Sequence, residues 1–453
     1  METDTICAIS TPPGVGAIAL IRLSGPAVMN IIQRIFQPAR KKTSRFWPTH
    51  TVRYGFIVED NQVVDEVLVT VMRKPRSYTR EDMAEIGCHG GYIAARAVTR
   101  ICLKEGARLA SPGEFTRRAF LNGRIDLTQA ESVLQIVESK TEQALSLSLD
   151  RLRGDLSKTF ASFKEETVEI LSEIEACLNF PDDYPDPGTE RFLQGMRSLL
   201  HSATRLKESA EKGRIFVEGV KAAIVGRTNV GKSSLLNALL RQERALVTEI
   251  PGTTRDALQE TITLKGIPVT IIDTAGWRKA RGRIERMGVA KAREWMDRAE
   301  VNLLILDASR PLTKSDWQLI DYIRGKRFLL VLNKCDLPVK INRERLSQAI
   351  KNELVCISAK TGLGLIELEE RLYQLLLGCP ASDSVYLNLR EQLLLDEIIG
   401  ETKQAISVLE KGESLEFVTD NLKSVIKALE GLSGETVADE VLNRIFSRFC
   451  IGK

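Results

Sequence analysis

Gly226-Arg227-Thr228-Asn229-Val230-Gly231-Lys232-Ser233 completes the pattern G-x-x-x-x-G-K-S/T. Such a loop turns backbone N–H groups inward, where they cradle phosphate oxygens at the N-terminus of the following helix. Lys232 is placed to reach the β- and γ-phosphates and Ser233 to ligate Mg2+ through its hydroxyl, with Asn229, Val230, Gly231 and Ser234 along the same nucleotide. Four further motifs follow in order: Thr253-Thr254-Arg255-Asp256, Asp273-Thr274-Ala275-Gly276, Asn333-Lys334-Cys335-Asp336 and Ser358-Ala359-Lys360. One motif alone suggests a phosphate site; five in this order specify a GTP-binding domain.

Each motif has its own chemistry. Asp273 ends a predicted strand, where a carboxylate can hold Mg2+ through water, and Thr274, Ala275 and the amide of Gly276 face the γ-phosphate. Thr254 lies in a loop free to close over the metal as its second protein ligand; Thr253 is the rival for that role. Asp336 can accept two hydrogen bonds from the imino and amino groups of guanine. Adenine lacks that donor pair, so Asn333, Lys334 and Asp336 favour GTP over ATP, with Ser358, Ala359 and Lys360 closing over the base. After Gly276 comes Trp277, where many small GTPases carry the glutamine that orients the attacking water. Hydrolysis then needs another water-positioning group and another source of positive charge, or else the chain is a slow switch activated by a partner.

These loops must hang on a parallel, doubly wound α/β unit. Val220–Val225 reads as a buried strand opening it, with further strands at 258–264, 268–273, 301–307, 328–332 and 354–357 and helices between them. Residues 1–120 read as mixed α/β, with strands over Ala17–Leu23, Val52–Val58 and Val63–Met72. A helix follows Gly90-Gly91, and another starts at Ser111-Pro112-Gly113-Glu114. From Leu127 an apolar stripe through Val133, Leu145, Leu156, Phe163 and Ile174 predicts one or two long helices. Pro181, Pro185 and Pro187 stop them, and a further helix spans Thr189–Lys212. Residues 385–453 are helical again. Neither helical flank hides its stripe alone, so the α/β unit is expected as an insertion into one discontinuous helical domain; two separate helical domains are the alternative. The expected boundaries are 1–120, 121–215, 216–380 and 381–453.

Bulk composition agrees with several domains. The chain has 453 residues, 43% hydrophobic and 27% charged, with a formal net charge of +4, which permits a nucleic-acid partner without arguing for one. Eight cysteines with no C-x-x-C pair, and only three histidines, argue against structural zinc and for reduced thiols. No apolar run reaches the roughly 18 residues of a bilayer span, and no signal segment is visible, so a soluble cytoplasmic protein away from membranes is expected.

Beyond the nucleotide motifs, the sequence resembles the MnmE (TrmE) family of tRNA-modifying GTPases from end to end. The resemblance is carried by Thr11-Pro12-Pro13-Gly14, Arg22-Leu23-Ser24-Gly25, His89-Gly90-Gly91, Pro112–Gly123, Asp126–Glu131, Gly252–Asp256 and the terminal Phe449-Cys450-Ile451-Gly452-Lys453. It implies an N-terminal α+β tetrahydrofolate-binding and dimerisation domain, a discontinuous α-helical domain and an inserted Ras-like P-loop GTPase domain. It further implies K+ as the missing positive charge, held by Asn229 and the carbonyls of Thr248 and Ile250. Glu249, Pro251 and Gly252 complete that nucleotide-contacting loop, and Glu285 orients the catalytic water. By residue type alone Glu285 is a solvated loop charge.

In the N-terminal domain, Arg22, Glu85, Arg124 and Lys453 match folate-contacting positions. Cations suit the glutamyl carboxylates of 5,10-methylene-tetrahydrofolate or 5-formyl-tetrahydrofolate, and a carboxylate suits the pterin edge. Cys450 becomes a candidate functional thiol, whereas as a prenylation signal Cys450–Lys453 fits poorly. Cys88 departs from the family pattern, where glycine is expected before His89. As partners the resemblance implies a homodimer, a heterotetramer with MnmG (GidA), and tRNA. The pair would add an aminomethyl or carboxymethylaminomethyl group at the 5-position of the wobble uridine. The rivals are an RNA- or ribosome-assembly GTPase switch without covalent chemistry, and a folate-dependent aminomethyl transferase acting on small molecules.

Overall fold

The computed structural model describes residues 4–40, 47–180, 189–244, 260–272, 288–342, 346, 354–377 and 384–453. The chain divides into two compact units. One comprises Met1–Val137, Asp150–Leu199 and Asp396–Lys453, the other Glu138–Leu149 and Leu200–Leu395.

In the first unit seven strands form one sheet: β1 (Ile6–Ile9), β2 (Ile18–Ser24), β3 (Phe36–Pro38), β4 (Thr51–Glu59), β5 (Gln62–Met72), β6 (Met83–His89) and β7 (Arg108–Leu109), in the order β3-β4-β5-β6-β2-β1-β7. Helices α1 (Val28–Ile35) and α2 (Tyr92–Lys104) cover one face of it. Val28, Ile31, Ile32 and Ile35 from α1, with Ala95, Val98 and Ile101 from α2, are buried against Ile21, Val69, Val71 and Ile86. Each fully buried Val or Ile of this set contributes roughly 1.5–3 kcal/mol. The three strands read from the sequence coincide with β2, β4 and β5 to within a residue at the ends, but β1, β3, β6 and β7 escaped that reading. β1 is four residues long and buried at three of them, which periodicity does not separate from loop or helix. β6 does alternate from Ala84 to His89, but Ala84, Gly87 and Cys88 stand where β-branched or aromatic residues would mark a strand.

Cys88 lies within β6, paired with Ala19 of β2, and is 3% exposed. Its backbone is not among those with positive φ, so the strand accepts a side chain at the position where the resemblance implied glycine. Burial pushes the Cys88 thiol up to about 11, away from reactivity.

The helical part of this unit contains α3 (Glu114–Leu121), α4 (Leu127–Glu138), the end of α5 (Glu142–Leu152), α6 (Asp155–Asn179), the start of α7 (Thr189–Glu218) and three helices introduced below. Residues 127–179 thus form three helices where one or two were expected. The chain breaks at Ser139–Thr141 and again at Arg153-Gly154, where Gly154 takes φ 88, a left-handed turn that ends a helix.

The second unit carries β8 (Val220–Val225), α8 (Lys232–Arg244), β9 (Glu260–Leu264), β10 (Ile267–Ile271), α9 (Gly288–Arg298), β11 (Val301–Asp307), α10 (Lys314–Ile323), β12 (Phe328–Asn333), β13 (Leu354–Cys356) and α11 (Leu365–Leu377). The sheet order is β13-β12-β11-β8-β10-β9. Leu235, Leu239, Leu368 and Leu372 seal one face; Met296, Leu319, Ile320 and Ile323 seal the other. The doubly wound expectation holds except at β9, which pairs antiparallel with β10. Only Lys265-Gly266 separates them, both at positive φ, and a two-residue turn of this kind joins antiparallel strands alone.

The chain then returns to the first unit through α12 (Leu389–Glu410), α13 (Leu415–Ser433) and α14 (Asp439–Phe446). Helix α13 packs along α6, with Lys164 bonded to Glu430 and Glu435 at 3.3 and 2.7 Å and Lys423 to Glu175 at 2.8 Å. Leu127, Ala130 and Val133 share a core with Leu442, Phe446 and Phe449. Helices from both flanks therefore complete one another, as the two unhidden apolar stripes required. Among the described residues no helix is long and apolar enough to cross a membrane.

Candidate functional site

The nucleotide site begins where β8, buried at five of its six positions, ends in the phosphate loop. Asn229 takes φ 64 and Gly231 φ 98. A side chain at Gly231 would put its Cβ 2.1 Å from Nδ2 of Asn333, so glycine is obligatory there by close approach as well as by backbone. Helix α8 starts at Lys232, and Ser233 and Ser234 are exposed on its first turn. The Lys232 ammonium folds back on the loop, donating to the carbonyl of Gly226 at 2.8 Å and to that of Arg227. Burial lowers its pKa to about 8. Phosphate brought beside it would restore the charged form.

The guanine-selecting residues brace this loop. Asn333, 2% exposed at the end of β12, donates from Nδ2 to the Val230 carbonyl at 2.8 Å. Its Oδ1 accepts from the amide of Ala359 at 3.0 Å, so one side chain joins the phosphate loop to Ser358-Ala359-Lys360. Ser358 is fully buried and its hydroxyl accepts from the amide of Thr361; Lys360 is exposed. Lys334, at φ 66, donates to the Asn229 carbonyl at 2.7 Å and to Asp307 Oδ2 at 2.6 Å. Asp336 is exposed on the next turn, open to a base.

Two braces were missed by the sequence reading. Asp307 ends β11, and its second oxygen accepts from the amide and hydroxyl of Ser309 at 3.0 and 2.6 Å. Burial alone would raise its pKa, but the bonds from Lys334 and Ser309 outweigh that and hold it below the ordinary carboxylate value. The available signal was a carboxylate ending a buried apolar strand. Arg227 reaches Asp316 Oδ2 at 3.3 Å, a contact between positions 89 apart that no local pattern announces.

Thr248, Glu249, Ile250, Pro251, Gly252, Thr253, Thr254, Asp273, Thr274, Ala275, Gly276, Trp277 and Glu285 lie outside the described residues. Of the expected metal ligands, Ser233 and Asn229 are described; Ser233 is exposed at the helix start, and Asn229 holds its left-handed turn within the loop.

A second polar site lies in the first unit. Arg22 of β2 and Glu85 of β6 face each other across the sheet register, with Nε and Nη2 of Arg22 at 2.9 and 2.8 Å from Glu85 Oε1. Arg22 Nη1 donates to the Gly452 carbonyl at 3.0 Å, and Ser10 Oγ donates to the same oxygen at 3.1 Å. The carbonyl of Lys453 accepts from the Phe115 amide at 3.2 Å, and that of Cys450 from the Gly113 amide at 3.4 Å. The terminal turn is thus seated on β1, β2 and the start of α3, with Cys450 exposed. Gly452 takes φ 93, and a Cβ there would lie 2.8 Å from the Ile9 carbonyl oxygen. Arg124 donates to the Tyr78 carbonyl at 3.2 Å and stacks 4.6 Å from the centre of the Tyr78 ring. The structure therefore brings Arg22, Glu85, Cys450 and Lys453 together, and sets Arg124 beside them through Tyr78, whose hydroxyl lies 2.9 Å from that of Thr116 in α3. Ser10 and Tyr78 were absent from the sequence reading, and Phe115 entered it only as part of the Pro112–Gly123 motif.

Beneath this site Arg118, 2% exposed, bonds Asp4 at 2.7 Å, Glu81 at 3.2 Å and Glu114 at 3.0 Å. Such a buried cluster is costly to break, and it fixes α3 under the terminal turn.

Known proteins similar to this chain match it over its whole length. The profile of the GTP-binding protein TrmE N-terminus matches residues 5–124, and that of the MnmE helical domain matches residues 127–450. A tRNA modification GTPase MnmE from Thermoanaerobacter pseudethanolicus is 42% identical over 460 residues, covering 100% of both chains. One from Carboxydothermus hydrogenoformans is 42% identical over 462 residues with the same coverage. One from Enterococcus faecalis is 40% identical over 461 residues, covering 100% of this chain and 99% of its own. With a braced phosphate loop in one unit and an Arg22–Glu85 site closed by the terminal turn in the other, the chain belongs to the MnmE family of tRNA modification GTPases.

Proposed function

We propose that this chain is a K+-dependent GTPase that drives modification of the wobble uridine of certain tRNAs in the cytoplasm. It works with an MnmG (GidA) partner and takes its one-carbon unit from 5,10-methylene-tetrahydrofolate. The carrying observation is that one polypeptide holds two separately built polar sites, the braced phosphate loop and the Arg22–Glu85 site closed by its own C-terminal turn. A plain GTPase switch has no use for the second.

In the nucleotide site, Lys232 and the loop amides bind the phosphates and Asp336 reads guanine. Ser233, with Asp273 and Thr254 or Thr253, would hold Mg2+. Asn229, with the carbonyls of Thr248 and Ile250, would hold K+, which supplies positive charge near the transferring phosphoryl group in place of an arginine finger. Glu285 orients the attacking water. In the other site, Arg22, Arg124 and Lys453 would take the carboxylates of the folate and Glu85 its pterin edge, with Cys450 exposed beside them. A homodimer is supported by the uncovered sheet face of the first unit, where Val52, Tyr54 and Leu68 are 58%, 50% and 51% exposed. Tyr54 and Leu68 are register partners there, and apolar patches of this kind mark association surfaces.

The test is complementation of a deletion strain, reading modified wobble uridine by mass spectrometry of tRNA nucleosides, with GTP turnover of the purified protein compared in K+ and Na+. The modification should vanish on deletion and return with the intact gene, and turnover should be faster in K+. Normal modified uridine with defective ribosomes would install the assembly-switch reading instead, and equal turnover in both salts would remove the cation.

A further inference from the structure

Several cations of the first unit are neutralised where they stand, among them Arg22 by Glu85, Arg73 by Asp82, Arg100 by Glu59 and Arg118 by Glu114. Lys74, Arg76, Arg80 and Arg124 are not, a property they share with Arg96, Lys403, Lys427, Arg444 and Arg448 among the described residues. What sets the four apart is their place beside the second polar site. All four are exposed, and among the described residues none has a carboxylate within ion-pair distance. They occupy two short segments that are stitched together. Arg80 donates to the Asn122 carbonyl at 3.0 Å, Asn122 donates to the Thr79 carbonyl at 2.7 Å, and Arg124 donates to the Tyr78 carbonyl at 3.2 Å. The chain turns back at Arg76, whose amide donates a hydrogen bond to the Arg73 carbonyl at 2.8 Å. Nearby carboxylates are already committed: Asp82 to Arg73 and the Lys74 amide, Glu81 to Ser24 and Arg118, Asp126 to the N-terminus of α4.

The cluster starts at the second polar site. Tyr78 lies under the Arg124 guanidinium, and burial raises its pKa against the opposing fields of both Arg124 and Arg22. Arg22 in turn lies 5.7 Å from the ring centre of Phe115, the neighbour of the Thr116 that meets Tyr78. A ligand whose carboxylate reaches Arg124 would therefore have its next negative groups directed along the 74–80 loop.

Resting on the folate reading above, we propose that Lys74, Arg76 and Arg80 continue the Arg124 end of that site as a track for the poly-γ-glutamate tail of the cofactor. Each added γ-linked glutamate brings one free carboxylate, and a tail of a few such units matches a compact set of exposed cations. An RNA backbone fits less well, because its affinity is built from many phosphate contacts spread along a strand, whereas this set is confined to one loop and one turn.

The experiment compares binding of monoglutamyl and triglutamyl 5-formyl-tetrahydrofolate to the full chain at low salt, in wild type and in the double variant Lys74→Ala/Arg76→Ala. Arg80 and Arg124 are left intact because they hold the loop. Two further exposed ion pairs predict that the triglutamyl form binds wild type roughly tenfold more tightly. The ratio should fall towards one in the variant, and as a ratio it is insensitive to a general loss of folding or affinity. Equal binding of the two forms to wild type overturns the track alone, as does an unchanged ratio in the variant. Failure of wild type to bind either form overturns the folate reading and the track with it. A preserved ratio accompanied by weaker tRNA binding in the variant would assign the patch to RNA and overturn the proposal.

Discussion

The phosphate loop draws its groups from the eight consecutive residues Gly226–Ser233, whereas Arg22 meets Glu85 across 63 positions and the Gly452 carbonyl across 430. The first site is one strand, one turn and one helix start, so its geometry follows from local backbone preferences plus the two braces at Asn333 and Lys334. The second exists only after a sheet has formed and the chain end has docked on it. A local site should fail only where its own residues are changed. A site assembled by docking should fail wherever the docking is disturbed, including at residues that never touch a ligand.

The largest effect is expected at Lys232. Lys232→Ala removes charge-assisted bonds to phosphate, each of which contributes roughly 1.5–3 kcal/mol, so GTP affinity should fall by roughly 100-fold or more in a fluorescent-nucleotide titration. Folate binding by the same variant should match wild type. The same lysine gives a pH dependence. Burial lowers its pKa to about 8 in the empty loop, and bound phosphate raises it again, so below that pH the ammonium is already present and affinity is flat. Above it, binding must take up a proton, and affinity should decline by up to about tenfold per pH unit until the bound-state pKa is passed. Affinity rising between pH 8 and 9.5 would contradict this assignment of the charge.

Gly452→Val probes the other plan. The residue occupies φ 93 with its Cβ direction 2.8 Å from the Ile9 carbonyl oxygen. A β-branched side chain there costs about 1–3 kcal/mol of strain and would lift the terminal turn from Arg22 and Ser10. Tetrahydrofolate affinity should drop roughly tenfold, with GTP affinity unaltered. Wild-type folate binding in this variant would show that the docked turn is not part of the site, and the contrast between the two plans would lose its second half.

The same contrast explains what could be read from the residues alone. The phosphate loop, Asn333–Asp336 and Ser358–Lys360 are contiguous patterns at strand ends, and the structure places them there. The edge strand β9 was assigned the wrong direction because alternation marks a strand without its partner, although Lys265-Gly266 carried the hairpin signal. The break at Gly154 was passed over because a stripe of apolar residues continues across it. Arg22 and Glu85 were nominated through family resemblance. In residue terms each is an ordinary charge until β2 and β6 pair, and nothing near Gly452 says that its carbonyl caps Arg22. Asp307 and Asp316 act on the phosphate loop from positions beyond any local window; a carboxylate ending a buried apolar strand was the one local sign of Asp307, and Asp316 is revealed only by the fold.

The smallest effect tests how local the phosphate loop is. Asp316 closes a capping box with Thr313 at the start of α10, accepting from the Thr313 amide at 2.8 Å and hydroxyl at 2.7 Å while also accepting from Arg227 at 3.3 Å. Thr313→Ala deletes the cap and costs about 1 kcal/mol, visible as a slightly earlier unfolding transition. The Thr313 amide still orders Asp316, so Arg227 keeps its acceptor and GTP affinity should stay within about twofold of wild type, a difference below roughly 0.4 kcal/mol. A tenfold loss of affinity would mean that a cap 80 or more positions from the loop sets its shape. The phosphate loop would then belong with the C-terminal site as a product of tertiary docking rather than of its own eight residues.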